Sequence, residues 1–275
     1  MEPKKRKHVI ADKVPWLVAV LLMIVGIALP SAIANPISNA LGGSEKTIGI
    51  VSRGVVAMLV SFAMMWLYRL WFKPEFEGNL GKDGFAEGMK LLIPFFGMWL
   101  VYYILNGLFN GARYGFADIA VWTSGMAAGV TEEVAFRGLA TTTLLRKYRS
   151  EKNVWMPGVA IGVLFGAVHL MNLTAGDDVV FVLLTVVFAI AGGIVFGAVY
   201  TKCGNLWAVI LAHGIYDSIS FSILEDPNDT TIEIGAFSYL QIAIMTLAAV
   251  LALVALIKKK REASDLWNRK WNTIV

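Results

Sequence analysis

The chain has 275 residues, of which 57% are hydrophobic and 16% charged, with a formal net charge of +4. Ordinary globular chains carry about 25% charged residues, so this composition excludes a water-soluble fold built around one apolar core and makes lipid the main solvent. Runs such as PWLVAVLLMIVGIALPSAIA and TLAAVLALVALI approach the roughly 20 apolar residues a helix needs to cross a bilayer. They are apolar all round, which excludes the short alternating strands of a membrane barrel.

In chain order, hydropathy predicts eight spans: Pro15–Ala34, Gly54–Phe72, Lys90–Phe109, Ile119–Leu145, Trp155–Leu173, Val179–Tyr200, Asn205–Leu224 and Phe237–Ile257. The first ends near Ala32-Ile33-Ala34, which resembles a signal-peptidase site. Its apolar stretch exceeds the usual signal core of about 7–15 residues, so an uncleaved anchor is expected. With no Ser/Gly-rich linker, internal repeat or low-complexity tract, residues 1–275 read as a single integral-membrane domain. The fold class is all-α, a polytopic bundle of about eight spans.

The loops alternate in charge. One set holds Lys4, Lys5, Arg6, Lys7 and Lys13, then Lys73 and Lys82, then Arg146, Lys147, Arg149 and Lys152, then Lys202, then Lys258 to Arg261, Arg269 and Lys270. The other holds Lys46, Arg53, Arg113 and the acidic stretches TAGDD and LEDPNDTTIE. Basic loops stay in the cytoplasm, which predicts a multi-pass cell-membrane protein with both termini cytoplasmic. The basic tails are read as topology signals, and with no separate basic domain to carry it a nucleic-acid partner is not expected. Trp267 and Trp271 in the C-terminal tail are expected at the bilayer interface. Cys203 is the only cysteine; it excludes an intrachain disulfide or a Cys-based zinc cluster and is read as an incidental thiol in the turn TKCGN.

A charge near the bilayer centre costs at least about 2.5–3.5 kcal/mol, so each one deep in a span needs a partner or a purpose. Arg69 and Lys90 lie at span ends and can snorkel to the interface. Three spans carry polar groups deeper in. On the fourth, TEEVAFRG places Glu133 and Arg137 four apart on one helical face, in the favourable order of acid before base, so they can neutralise each other. Glu132 is turned about 100° away from Glu133. That leaves it the freer carboxylate, desolvated and suited to proton transfer near neutral pH.

The fifth span carries Gly158, Gly162 and Gly166 at four-residue spacing, a strip that admits a neighbouring backbone. Phe165, His169 and Asn172 lie on or beside that strip, so His169 is expected to point into the bundle. In the seventh, His213, Asp217 and Ser220 form a polar stripe in which His213 could serve as an oriented base, an oxyanion donor or a metal ligand. Gly193 and Gly197 in the sixth are read as packing only. A purely structural seam would not explain why three separate helices each carry a costly group.

Taken together, E-E-x-x-x-R at Glu132, Glu133 and Arg137, F-x-x-x-H at Phe165 and His169, and H-x-x-x-D at His213 and Asp217 resemble the CAAX-protease and bacteriocin-processing membrane proteins. These are also called the Abi or type II CAAX prenyl endopeptidase family. GNLWAVILAH before His213 is similar to the family's wording, and the resemblance covers about Gly125 to Ser220, within a catalytic core of about residues 119–224. It implies a glutamate-type intramembrane endopeptidase with a cavity open towards the cytoplasm, acting on membrane-associated peptides or proteins, lipidated ones included. Glu132 and His169 would activate a water, while His213 and the residue at Asp217 stabilise the oxyanion. The prenyl-protein endopeptidases have Asn where this chain has Asp217, and an ionised carboxylate repels an oxyanion. The preferred reading therefore has Asp217 orienting His213, as the acid of a triad orients its imidazole.

No cofactor is expected. Zinc bound by His169, His213 and a carboxylate is the nearest alternative, although no H-E-x-x-H is present. A proton-coupled transporter and a non-catalytic immunity or scaffold protein of the same fold are the other readings kept open.

Overall fold

In the computed structural model, residues 9–116, 118–224 and 235–271 are described. The basic residues of the extreme N-terminus and most of the acidic stretch LEDPNDTTIE lie outside them. The helices are α1 (Val9–Lys13), α2 (Pro15–Ala40), α3 (Thr47–Trp71), α4 (Phe85–Asn110), α5 (Ile119–Glu133), α6 (Thr142–Lys147), α7 (Met156–Val168), α8 (Asn172–Ala175), α9 (Val179–Cys203), α10 (Leu206–Phe221), α11 (Ala236–Lys258) and α12 (Lys260–Lys270). A two-residue antiparallel ladder joins β1 (Arg113–Tyr114) to β2 (Ile223–Leu224).

Six helical stretches among the described residues are long and apolar enough to cross a membrane: Pro15–Ala40, Thr47–Trp71, Phe85–Phe109, Met156–Ala175, Val179–Cys203 and Ala236–Lys258. The chain is a multi-pass membrane protein with an all-α bundle. The other two expected spans are also helical but differ in kind. Helix α10 has 16 residues, about 24 Å of rise against a hydrocarbon core of about 30 Å.

The fourth expected span changes pitch. Between α5 and α6, residues Val134–Thr141 form a π-helical segment in which hydrogen bonds reach five residues back. The hydroxyls of Thr141 and Thr142 reinforce it by donating to the carbonyls of Phe136 (2.8 Å) and Arg137 (2.9 Å). A single α-helix over Ile119–Leu145 is thus corrected to an α-π-α element, because buried threonines offer carbonyls an alternative to the regular ladder.

Close backbone approach governs the packing. A Cβ built on Gly162 would stand 2.6 Å from the carbonyl carbon of Gly193, and one on Gly158 2.7 Å from the carbonyl oxygen of Gly197. The glycine strip of α7 and the Gly193/Gly197 pair of α9 therefore mesh with each other. The same device joins α5 to α10, where a Cβ on Gly129 would lie 2.5 Å from the backbone nitrogen of Gly214. Helix ends are fixed by local chemistry as well. Gly204, with φ +63°, ends α9, and Asn205 caps α10 by accepting from Ala208 N at 3.2 Å. The words Gly204-Asn205 before His213 are the turn that sets where α10 begins.

The described chain ends gather at one end of the bundle. Arg146, after the π segment, donates to Asp12 (3.0 Å) and Glu75 (2.6 Å) and lies over the rings of Phe72 and Trp271. The C-terminal tail is the amphipathic helix α12, docked there by Ala263, Trp267 and Lys270. Trp267 and Trp271, expected at the bilayer interface, do not face lipid. Both are buried, Trp267 donating to Thr201 O at 2.7 Å and Trp271 stacking on Phe76 at 4.6 Å between ring centroids. Cys203 is likewise buried, within 3.5 Å of the Asn205 backbone nitrogen.

Candidate active site

Four elements converge at mid-bundle: the end of α5 with the π segment, the end of α7, the middle of α9 and the middle of α10. Glu133 is fully buried, and its Oε1 accepts from Arg137 Nη1 at 2.7 Å, the pairing its spacing predicts. The same oxygen lies 2.8 Å from His213 Nδ1. Arg137 in turn donates from Nη2 to the carbonyl of Gly193 at 2.9 Å and sits over the rings of Phe165 (5.1 Å) and Phe196 (5.7 Å). A buried charge pair holds only with such additional partners, because desolvation otherwise outweighs its attraction. Glu133 Oε2 and Arg137 Nε have no hydrogen-bond partner among the described residues.

With Nδ1 held by Glu133, the other nitrogen of His213 is the one that can act. Nε2 stands 3.7 Å from Glu132 Oε2 and 3.4 Å from Asp217 Oδ2. The imidazole is clamped on its flanks, stacked on Phe196 at 5.0 Å and met edge-on by Phe165 at 5.8 Å. Glu132 differs from its neighbour as the helical turn requires: its side chain is 31% exposed where that of Glu133 is 0%. One carboxylate is an anchor and the other remains reachable.

The remaining positions are distributed unevenly. His169 ends α7 at a short 3₁₀ turn, half-buried, with Nδ1 3.0 Å from Phe165 O and its ring 5.3 Å from the Phe165 ring. The ring of Phe165 meets both His169 and His213, which places His169 beside the cluster. Asn172 opens α8 beyond that turn and takes no part in this hydrogen-bond set. Asp217 stands at Nε2 of His213, whereas a triad-like orienting acid would occupy Nδ1, where Glu133 is found.

Two contributors escaped the sequence reading. Gly193 was read as packing only, yet its carbonyl holds the guanidinium, and Phe196, three residues on, is the platform for His213. Nothing in a run of apolar residues distinguishes a carbonyl that accepts from one that does not. Candidate metal donors left by these bonds are the second nitrogens of His169 and His213 with Glu132 and Asp217. Among the described residues no three His, Cys, Asp or Glu side chains form a grouping of the kind that holds a metal ion.

Such a multi-pass helical bundle, with a desolvated acid-imidazole cluster supported by a buried ion pair, defines a membrane protein equipped for acid-base chemistry. Residues 95–219 match the family model described as type II CAAX prenyl endopeptidase Rce1-like, the family its three motifs resemble. That is a family of CAAX-type membrane proteases, and the match covers every member of the cluster. No curated protein and no solved structure matches the chain.

Proposed function

We propose that the protein is a glutamate-type intramembrane endopeptidase that cleaves membrane-associated peptides or proteins without a cofactor. The observation that carries this reading is the division of labour between adjacent carboxylates: Glu133 fixes His213 through Nδ1, while Glu132 stays reachable beside Nε2. Glu132, assisted by His169, takes a proton from water as the oxygen attacks the scissile carbonyl. His213 Nε2–H and the protonated form of Asp217 donate to the oxyanion, a role that suits donors held rigidly before the charge appears. Collapse of the intermediate breaks the C–N bond, and Glu132 returns its proton to the departing amine.

The positions of Glu133 and Asp217 around the imidazole support this assignment over one in which Asp217 does the orienting. A quantitative comparison of new N-termini in membranes carrying wild type or Glu132→Ala tests it. Peptide bonds cut only with the wild type are expected; identical N-terminal profiles would remove the enzyme assignment.

A further inference from the structure

At the α12 end of the bundle, away from the Glu132 cluster, a pocket of about 310 Å³ lies between the last turns of α3, the loop over residues 77–83 and α12. That is enough for a small polar ligand, whose sites occupy about 300–1,000 Å³. Four charged side chains line it: Arg69 and Lys270, Glu77 and Asp83. None of the four is in an ion pair among the described residues.

The two cations converge on one glycine. Lys270 is 8% exposed, and its Nζ donates to Gly78 O at 2.9 Å, the one hydrogen bond of a three-donor ammonium among the described residues. Its stem passes over Gly204, where a Cβ would collide with Lys270 Cε. Gly78 has φ +104°, a conformation that favours glycine, and a Cβ there would lie 3.2 Å from Arg69 Nε. Burial pulls the Lys270 ammonium below the usual lysine range. A desolvated ammonium beside a guanidinium, with no counter-charge in contact, is costly, and a bound anion relieves that cost.

The surroundings decide which anion. Trp66 lines the pocket and is 60% exposed, and Leu67, Leu70 and Trp71 next to it on the membrane-spanning α3 are exposed too. The pocket therefore adjoins lipid, at the level where tryptophan marks an interface. A phosphate carried on acyl chains reaches it from the bilayer. Glu77 and Asp83, both exposed, then face whatever follows the phosphate. A primary ammonium supplies N–H donors to them, whereas a glycerol headgroup leaves the carboxylates opposite an uncompensated anion.

We propose that this pocket binds the headgroup of an aminophospholipid, with its phosphate held by Arg69 and Lys270 and its ammonium by Glu77 and Asp83. A ligand held there steadies more than the loop. Asn79 O accepts from Leu206 N at 2.8 Å and Gly81 O from Asn205 Nδ2 at 2.7 Å, both at the start of α10. Asn79 Nδ2 donates to the Tyr200 hydroxyl at 2.6 Å, which lies 2.6 Å from the Thr142 hydroxyl at the end of the π segment. The loop thus ties the pocket to both helical elements that carry the acid-imidazole cluster.

Full-length protein stripped of lipid in detergent is titrated with dihexanoyl phosphatidylethanolamine, phosphatidylcholine or phosphatidylglycerol, or with inorganic phosphate, and its thermal unfolding midpoint is followed. The ethanolamine lipid is expected to raise the midpoint saturably, at concentrations at least tenfold below the other three. Arg69→Gln alters an exposed side chain and is expected to weaken that binding about tenfold, as loss of a charge-assisted bond does. The exposed Lys152→Gln, outside the pocket, is expected to leave it unchanged. Glu77→Gln with Asp83→Asn is expected to abolish the preference for ethanolamine over glycerol. Hydrogen exchange at residues 77–83 is expected to slow when the ethanolamine lipid is bound. An equal response to inorganic phosphate overturns lipid as the ligand, and an equal response to phosphatidylcholine or phosphatidylglycerol overturns recognition of the amine. No rise in the midpoint, a rise untouched by Arg69→Gln or equally weakened by Lys152→Gln, or one without protection of residues 77–83 overturns the site. None of these readouts depends on cleavage.

Discussion

Glu133 reaches His213 across 80 positions of sequence, its Oε1 lying 2.8 Å from Nδ1 while the same oxygen takes the Arg137 guanidinium at 2.7 Å. One oxygen thus ties α5, the π segment and α10 into a single unit. Mutations in this unit and around it separate chemistry from support.

Glu132→Gln keeps the shape of the side chain and removes its capacity to take a proton. General-base catalysis contributes about 10²–10⁴-fold. A loss of cleavage in that range is expected, with thermal unfolding in detergent close to wild type. A Glu132→Gln protein that cuts at the wild-type rate would exclude Glu132 as the base.

Arg137→Met leaves Glu133 as a buried charge with one fewer partner, a change that costs about 3–5 kcal/mol at comparable sites. The double variant Glu133→Gln, Arg137→Met is expected to recover part of that stability, because both charges are gone. Activity is not expected to return with it, since His213 loses its ionised anchor. Denaturant unfolding of the four proteins of the cycle, with parallel cleavage assays, measures both effects.

Gly162→Ala forces a methyl group towards Gly193, and overpacking of this kind costs about 1–3 kcal/mol. Because α7 carries His169 and Gly193 holds Arg137, activity is expected to fall together with stability. Gly97→Ala is the control: a Cβ there meets nothing within 4 Å, so no loss of stability is expected.

Trp267→Ala empties a fully buried site and removes the bond to Thr201 O. A loss of about 3–5 kcal/mol is expected. An interfacial tryptophan would give a much smaller one, so the unfolding midpoint distinguishes a docked tail from a membrane-surface one.

Chelation tests the cofactor. Cleavage is expected to persist after prolonged treatment with a zinc chelator. Activity that disappears and is restored only by zinc would replace Glu132 as base with a metal-bound water held by the same donors.

What the sequence alone determined follows from local periodicity. Composition requires lipid as solvent, the four-residue spacing makes Glu133 and Arg137 partners, and the helical turn separates Glu132 from Glu133. The glycine strip marks which face of α7 is buried, and costly groups on three helices mark a site. The pairing, the separation of the two carboxylates and the glycine strip each depend on residues within a few turns of one another. The π segment was not legible, since threonines after Arg137 read equally well as ordinary helix until their hydroxyls are seen to reach back five residues.

The tertiary structure decided everything that depends on distance through space. It placed Glu133, and not Asp217, at Nδ1 of His213, supplied Gly193 O and Phe196 from a helix with no polar side chain at that level, and buried the two tail tryptophans inside the protein. A carbonyl or a cavity leaves no mark in composition or spacing, because both arise only where helices meet.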